Sequence, residues 1–534
     1  MRLLIKGATI IDGSLAPSYL GDILIEDGVI KEIGTDKLKD MQEADEVIDA
    51  AGLIAAPGFI DTHSHSDLKI LTEPEVLPKV MQGITTEVLG QDGIAMAPLP
   101  KKHIDSWRKN LAGLDGESDE IDWGYETTDN YLKMIEAVRP GVNETYLVPH
   151  GNVRMEAMGL DNRQPTKEEI KKMCDITRRE MEAGCFGLSS GLIYTPCAYS
   201  KTQEIIEMCK VVAEYDGVFV VHQRSEADTI LPSMEEIIEI GRQSGVKIHF
   251  SHFKVCGKDN WDKLEDMLAL LDKAKEEGIR VSLDQYPYTA GSTMLGIILP
   301  PWVHDGGTNE LIKRLNNQEL RKKMREDIKN GIPGWDNFIQ FAGVEGIFIT
   351  SVATTKNKEL IGKSLKEIGE LKGLEPLEAA FDLLAEEKNA VGMVDFYGTE
   401  SAVTSILKRD EMNACTDGLL SGKPHPRVYG SFPRILGKYV REEKVLTLEE
   451  AIYKMTHKAA SAMGIAGRGL LKKGYYGDIT IFNAGTVLDK GTFVEPVQFP
   501  EGIEYVIVNG EVTVRNGVHT GKQAGQVIRK NRVG

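Results

Sequence analysis

The chain has 534 residues, which exceeds a single ordinary core and predicts two or more domains or one large barrel with additions. Hydrophobic residues make up 41% and charged residues 27%, as in globular proteins, and the net charge of −18 argues against nucleic acid or an anionic membrane as a partner. No apolar run reaches the ~18–20 residues that cross a bilayer. The six cysteines lack Cys-x-x-Cys spacing, so we expect a reducing cytoplasm.

Both ends of the chain contain short apolar runs separated by turn residues. In the first part the runs are broken by turns such as Asp-Gly at 27–28, and in the last part by Asn-Gly at 509–510. This pattern is typical of short antiparallel strands joined by hairpin turns. Neither end is large enough for a core of its own. We therefore expect residues 1–56 and 469–534 to pair into one small β-sandwich domain.

The middle of the chain alternates apolar runs with helical segments, which predicts parallel βα units. Amphipathic stretches lie at 167–182, 233–244 and 262–277. The eight candidate strands are 58–61, 86–89, 145–148, 184–188, 218–221, 247–250, 280–283 and 412–415. Eight such units predict an α/β fold, a (β/α)8 TIM-like barrel over residues 57–468. The long interval between strands 7 and 8 predicts an inserted subdomain over residues 296–400.

Residues with metal-ligand chemistry follow several of these strands. The first strand leads into His63-x-His65, and residues two apart on a strand point to the same side. The residues after the second, fifth, sixth and eighth strands are Asp92, His222, His252 and Asp417. Because functional side chains of such a barrel lie at the carboxyl ends of its strands, we expect all six residues to surround one or two Zn²⁺ ions. Any one of them alone would also fit a structural residue at a strand end.

Longer motifs accompany these residues. They are Pro-Gly-Phe-Ile-Asp-Thr-His-Ser-His at 57–65, Ser-Ser-Gly-Leu-Ile-Tyr at 189–194, Ser-His-Phe-Lys at 251–254, Asp-Gln-Tyr-Pro-Tyr-Thr-Ala-Gly-Ser-Thr at 284–293, Thr-Asp-Gly at 416–418, His-Pro-Arg at 425–427 and Gly-Asp-Ile at 477–479. With them the chain resembles the amidohydrolase superfamily over nearly its whole length. Within that superfamily it resembles the N-acyl-D-amino-acid deacylases (D-aminoacylases).

The resemblance implies a division of the metal ligands. His222 and His252 would hold the tightly bound zinc, and His63, His65 and Asp417 would surround a second, weaker position. The family has a cysteine as the third ligand of the tight site. Here the corresponding residue is Asp92, in Gly-Gln-Asp-Gly. Because a carboxylate is a harder ligand than a thiolate and can bridge two ions, one zinc, two zincs or another divalent metal remain open, as does a plain turn role for this aspartate.

Asp417 is the residue that we expect to carry the chemistry as general base and acid. Zinc-bound water reaches a pKa of about 7 in favourable sites, and a nearby carboxylate can take its proton during attack on an amide carbonyl. The protonated group can then deliver that proton to the departing amine. The alternative is a structural aspartate in a Thr-Asp-Gly turn.

Substrate contacts are expected on the basis of charge and of the resemblance. Lys254 lies two residues after His252, and a cation beside the metal suits a substrate carboxylate. The resemblance assigns carboxylate contacts to four positions, matched here by Tyr194, Lys254, Tyr286 and Ser292, and Arg427 is a further candidate. The alternatives are tyrosines that only pack at the barrel rim and a lysine that is solvated.

These observations predict hydrolysis of small-molecule N-acyl-D-amino acids. The first alternative is a cyclic amidohydrolase of the hydantoinase or dihydroorotase type, whose members use a carboxylated lysine from strand 4, and strand 4 has no lysine here. The second alternative is a non-catalytic scaffold, which would first have lost the ligand residues. A homo-oligomer is left open. We further expect His150 to be a neighbour of the pocket and His249 to point outward to a helix.

Overall fold

The computed structural model describes residues 1–34, 38 and 44–530. Its strands are β1 (Arg2–Ile10), β2 (Tyr19–Glu26), β3 (Val29–Gly34), β4 (Glu46–Asp49), β5 (Ile54–Pro57), β6 (Phe59–Asp61), β7 (Ser64–His65), β8 (Ile84–Leu89), β9 (Asn143–Tyr146), β10 (Val148–Pro149), β11 (Gly187–Gly191), β12 (Val218–His222), β13 (Lys247–Phe250), β14 (Val281–Gln285), β15 (Ala290–Met294), β16 (Ile347–Val352), β17 (Val391–Phe396), β18 (Met412–Ala414), β19 (Gly418–Leu419), β20 (Ile479–Phe482), β21 (Ile503–Val508), β22 (Glu511–Arg515) and β23 (Val518–His519).

Helices alternate with the central strands. They are α1 (Lys69–Thr72), α2 (Leu77–Val80), α3 (Ile104–Leu111), α4 (Thr128–Val138), α5 (His150–Met158), α6 (Lys167–Glu182), α7 (Thr202–Glu214), α8 (Ile230–Ser244), α9 (Leu264–Glu276), α10 (Thr308–Leu315), α11 (Gln318–Asn330), α12 (Phe338–Ala342), α13 (Leu365–Lys372), α14 (Pro376–Glu386), α15 (Glu400–Leu407), α16 (Arg427–Arg434), α17 (Leu448–Met455) and α18 (His457–Met463). Among the described residues, no helix combines the length and the apolar character needed to cross a membrane.

The two ends of the chain pair in one nine-stranded sheet. Its order is β23-β22-β21-β20-β5-β1-β2-β3, and β4 also pairs with β1. The antiparallel pair of β5 with β20 joins the N-terminal and C-terminal strands. Alternating aliphatic side chains such as Leu3, Ile5, Ile479 and Ile481 form a separate buried cluster on this sheet. The predicted association of the two ends is confirmed, since both ends contribute side chains to this buried cluster.

The central strands are parallel and follow one another around a ring. The pairs run β6-β8-β9 and then β10-β11-β12-β13-β14-β18, and β19 pairs with β7 next to the first strand. Backbone hydrogen bonds from Leu147 to Leu89 and from Phe186 to Tyr146 bridge the break between β9 and β10. This arrangement is the predicted (β/α)8 barrel, with the eighth strand returning to the first.

Local sequence explains most of the boundaries. Helix α6 occupies the predicted 167–182, because Thr166 and Glu169 cap its first turn reciprocally. The fourth strand is β11, three residues later than predicted, since its register with β12 begins only at Gly187. That shift places Ser189 and Ser190 inside the strand, close to the site.

The segment between β14 and β18 forms a separate antiparallel sheet, β15-β17-β16, with helices α10 to α15 around it. Its strand β15 follows directly on the last barrel residues of β14, so the inserted segment begins at the carboxyl end of the barrel. The division into domains at 1–56, 57–468 and 469–534, with a subdomain over 296–400, stays a prediction.

Candidate metal centre

His63 and His65 follow β6 at the carboxyl end of the first barrel strand, and both are buried. The Nε2 atom of His63 lies 3.7 Å from Oδ1 of Asp417, and that of His65 lies 3.4 Å from the same oxygen. The short pair of β7 with β19 explains this proximity, because it aligns Ser64 with Gly418, the residue after Asp417. These three side chains form one group of converging ligand atoms.

Asp92 lies in the turn that follows β8. Its φ of 54° is left-handed, a conformation that aspartate tolerates better than most residues, and Gly93 follows with a φ of 68°. A Cβ on Gly93 would lie 2.8 Å from Sγ of Cys197, so only glycine fits behind the aspartate. The Asp92 carboxylate lies 3.6 to 3.8 Å from ring nitrogens of His63, His65 and His252. It therefore lies between the two predicted metal positions.

His222 is the last residue of β12, and His252 comes two residues after β13. Nδ1 of His222 and Nε2 of His252 are 3.0 Å apart, as two ligands of one ion can be. His252 has a left-handed φ of 34°, and its backbone N–H donates to the Asp284 carboxylate. Left-handed backbone at a non-glycine residue is costly and clusters at functional sites, where the surroundings enforce it.

A divalent cation fits this donor set. Among the described residues, buried atoms here that have no hydrogen-bond partner include Nε2 of His63 and Oδ1 of Asp92, which lie 3.7 Å apart. Buried polar atoms are normally paired, so unpaired imidazole and carboxylate atoms that face one another indicate a missing partner. Neutral imidazoles and carboxylates suit zinc, and the candidate ligand groups found in the described part of the chain contain no cysteine.

The site also attracts positive charge. Burial lowers the pKa of His65, but Asp417 and Asp92 outweigh burial and raise that pKa to about 10. Burial raises the pKa of Asp92, but the histidines around it hold its pKa well below the ordinary value. His222 is different, since burial lowers its pKa to about 4. Neutral imidazole is the form that binds a metal.

Glu226 is a member of the site that the sequence analysis missed. It lies four residues after His222 and is buried. Its carboxylate is 3.2 Å from Nδ1 of His252 and 3.7 Å from Nε2 of His222, the ring nitrogens on the far side from their mutual contact. Carboxylates in such positions orient metal-binding histidines. The only available signal was an acidic residue in His-Gln-Arg-Ser-Glu, one of many acidic residues that follow a strand.

Asp417 combines two contacts. Its Oδ1 faces His63 and His65, while its Oδ2 is 2.9 Å from Nη1 of Arg427. Burial raises the pKa of Asp417, but Arg427 and the histidines lower it far below the ordinary value. The Asp417 backbone has a left-handed φ of 48°, which the N–H bond to the His63 carbonyl holds in place.

The predicted substrate residues lie in the same pocket. It is lined by His65, Asp92, His222, His252 and Asp417 together with Tyr194, Lys254, Tyr286, Ser292 and Arg427. Lys254 is not solvated, because its Nζ is 2.7 Å from Oε1 of Glu226. The Arg427 guanidinium lies 4.4 Å from the centre of the Tyr286 ring. The Ser292 hydroxyl donates a hydrogen bond to the Met393 carbonyl, and the Tyr194 hydroxyl is hydrogen-bonded to the Thr293 hydroxyl; Met393 and Thr293 both belong to the inserted segment.

Two other histidines have structural partners. The prediction that His249 points outward to a helix is wrong. Its ring forms hydrogen bonds with Ser282 and Asp284 on the neighbouring strand β14. The inward and outward faces of strand β13 were therefore assigned one residue out of phase. His150 bonds the Ser190 hydroxyl and the Glu204 carboxylate, and it does not line the pocket.

Comparison with known proteins agrees with this site. Residues 46–514 match the amidohydrolase family. The chain is 34% identical over 530 residues to a D-aminoacylase of Alcaligenes xylosoxydans xylosoxydans, covering 99% of this chain and 97% of that protein. It is also 34% identical to an N-acyl-D-aspartate deacylase of the same organism, covering 98% and 94%.

A solved structure shows the same overall fold. The N-acyl-D-glutamate deacylase of Bordetella bronchiseptica, complexed with zinc and a phosphonate inhibitor that mimics the reaction's tetrahedral intermediate, superposes with a TM-score of 0.84. The identity is 33%, and the match covers 99% of each chain. This chain therefore belongs to the amidohydrolase family, in the branch of the N-acyl-D-amino-acid deacylases.

Proposed function

We propose that the protein is a zinc-dependent hydrolase that cleaves the amide bond of N-acyl-D-amino acids, giving a carboxylate and a free D-amino acid. The observation that carries the proposal is the convergence of four histidines and two aspartates at a pocket that is also lined by Lys254 and Arg427. Relatives and a solved structure named for this chemistry cover nearly the whole chain and support it.

His222, His252 and Asp92 would hold one ion, and His63, His65 and Asp417 would surround a second. When bound, zinc lowers the pKa of water and polarises a carbonyl oxygen. The carboxylate at position 92, in place of the family's cysteine, leaves the number of ions and the identity of the divalent metal open.

Asp417 holds and moves the proton. Arg427, 2.9 Å from Oδ2, keeps the carboxylate ionised, so Oδ1 is free to accept the proton of the attacking water. The protonated Asp417 then donates that proton to the departing amide nitrogen, which leaves as the amine. Because Arg427 stabilises the ionised form, it also favours return of the proton to the product.

Arg427 and Lys254 would bind the substrate carboxylate, together with the Tyr286 hydroxyl. Arg427 is fully buried and the side chain of Lys254 is 13% exposed, and a charge-assisted hydrogen bond is stronger in such surroundings than at the surface. We propose that the D-enantiomer of the substrate is selected because the chain is similar to relatives named for D-amino acids. The cyclic-amide alternative is disfavoured, because β11 ends in Ser189, Ser190 and Gly191 and carries no lysine.

We further propose that the protein is cytoplasmic, because its cysteines are few and lack Cys-x-x-Cys spacing. The partner is a small molecule, and the acidic net charge of −18 disfavours nucleic acid.

A panel of N-acetyl-D- and N-acetyl-L-amino acids tests the function on the metal-stripped protein before and after Zn²⁺ is restored. We expect hydrolysis of the D-forms only, lost on chelation and recovered with zinc. Hydrolysis of L-forms alone, or activity that chelation does not change, would overturn the proposal.

A further inference from the structure

The inserted segment places two acidic side chains, Asp336 and Asp395, in the wall of the pocket. Asp395 is near the end of β17, where it pairs with Gly291 of β15, and it is 3% exposed. It lines the pocket together with the metal-site residues. A Cβ on Gly291 would lie 3.1 Å from Asp395 Oδ1, so the absence of a side chain at 291 keeps the carboxylate accessible from the pocket.

Apart from Asp92, which belongs to the metal site, the other carboxylates of the pocket are already paired. Glu226 is 2.7 Å from Lys254, and Asp417 is 2.9 Å from Arg427. Asp336 accepts hydrogen bonds from the Ser225 hydroxyl and the Glu226 backbone. Each cation of the pocket is thus balanced by a carboxylate other than Asp395.

Asp395 itself has no such partner. No group of another residue in the described part of the chain makes a hydrogen bond or ion pair with its carboxylate. Leaving a buried carboxylate without a partner is costly. Burial accordingly raises the pKa of Asp395 to about 7, although Lys254 and Arg427 oppose the rise. A cationic group that enters the pocket would remove this cost.

Aromatic rings near Asp395 suit the same ligand. Tyr286 and Tyr397 share a hydrogen bond of 2.7 Å between their hydroxyls, and both line the pocket. A Cβ on Gly291 would lie 3.1 Å from a ring carbon of Tyr397 and 3.6 Å from the Tyr286 hydroxyl, so both tyrosines reach the same part of the pocket as the carboxylate. Aromatic faces attract ammonium and guanidinium groups, and more strongly where water is excluded.

We propose that Asp395 is a specificity-determining residue, which selects N-acyl-D-amino acids with a positively charged side chain, of the lysine or arginine type, and disfavours acidic side chains. This inference rests on the proposed function. The named relatives do not decide the side chain, because the D-aminoacylase and the N-acyl-D-aspartate deacylase are each 34% identical to this chain. The position of Asp395 in the pocket indicates the preferred substrate side chain, which overall sequence identity does not.

The first test uses the unmodified holoenzyme with three substrates: N-acetyl-D-lysine, N-acetyl-D-norleucine, which has the same chain length without the amine, and N-acetyl-D-glutamate. We expect kcat/KM to be about tenfold or more higher for lysine than for norleucine, as for a hydrogen bond to a charged group, and lowest for glutamate. Equal values for lysine and norleucine, or a preference for glutamate, would overturn the inference while leaving the proposed function intact. If none of the three is hydrolysed and other N-acetyl-D-amino acids are also inert, the proposed function itself fails.

The second test uses Asp395→Asn, which keeps the shape and removes the charge, with Glu359→Gln as a matched control on an exposed carboxylate of the inserted segment. Zinc content and melting temperature establish that each variant folds. In Asp395→Asn the lysine-to-norleucine ratio of kcat/KM should fall to near one, mainly through a higher KM for lysine. In Glu359→Gln the ratio should match wild type. An unchanged ratio in a folded Asp395→Asn protein would remove Asp395 from substrate selection.

Discussion

Replacement of Glu226 by glutamine tests whether one carboxylate orients both histidines of the first metal position. The Glu226 carboxylate is 3.2 Å from the His252 ring and 3.7 Å from the His222 ring, and it is the partner of Lys254 at 2.7 Å. Burial raises the pKa of Glu226, but Lys254 and the two histidines outweigh it and lower the pKa to about 2, so the group is a permanent anion at neutral pH. Glutamine keeps the size and one acceptor but loses that charge.

Loss of one carboxylate that holds a metal-binding histidine costs about 10–100-fold in metal affinity or activity. Because Glu226 serves two histidines, we expect a loss near the upper end, about 100-fold, or about 2.8 kcal/mol at 1.4 kcal/mol per tenfold. Lys254, whose side chain is only 13% exposed, would also lose its anionic partner. Zinc affinity should therefore fall together with stability.

The assay is competition for zinc with a chromophoric chelator, accompanied by a melting curve of the metal-free protein. Glu235→Gln is the matched control, since Glu235 is exposed on α8, the helix that follows the loop containing Glu226. The control should bind zinc like wild type. A folded Glu226→Gln protein with wild-type zinc affinity would refute the orienting role.

Three further predictions concern two residues of the site and one buried ion pair outside it. Asp417→Asn should keep its metal and melting temperature but lose kcat by orders of magnitude, and near-normal turnover would remove Asp417 from the mechanism. Asp92→Cys should raise the affinity for zinc relative to Mn²⁺, because thiolate is the softer ligand, and an unchanged ratio would contradict ligation by Asp92. Glu204→Ala removes the carboxylate that pairs with the fully buried Arg154, so the free energy of unfolding in urea should fall by about 3–5 kcal/mol. An unshifted urea midpoint would show that the ion pair is not needed for stability.

The fold could largely be predicted from the sequence because its signals are local. The strands of the barrel are short apolar runs, and α6 carries its cap in the sequence. Residues at strand ends, such as His63 and Asp417, were found for the same reason: the fold places the carboxyl ends of all parallel strands at one edge.

What could not be predicted depends on the paths of loops and on contacts between distant segments. Glu226 lies in a loop after β12, and Asp395 belongs to an inserted strand whose pairing with β15 has no counterpart in the barrel pattern. The partners of Lys254 and Arg427 were likewise unpredictable, since the acids that neutralise them come from elsewhere in the chain. His249 was misassigned because a one-residue error in phase reverses the face of a strand.

Anomalous diffraction at the zinc edge, from crystals of the zinc-loaded protein, tests the central claim most directly. The account predicts a peak within about 2.0–2.1 Å of a ring nitrogen of both His222 and His252, in contact with Asp92. Strong zinc peaks elsewhere, with none between these two histidines, would contradict it.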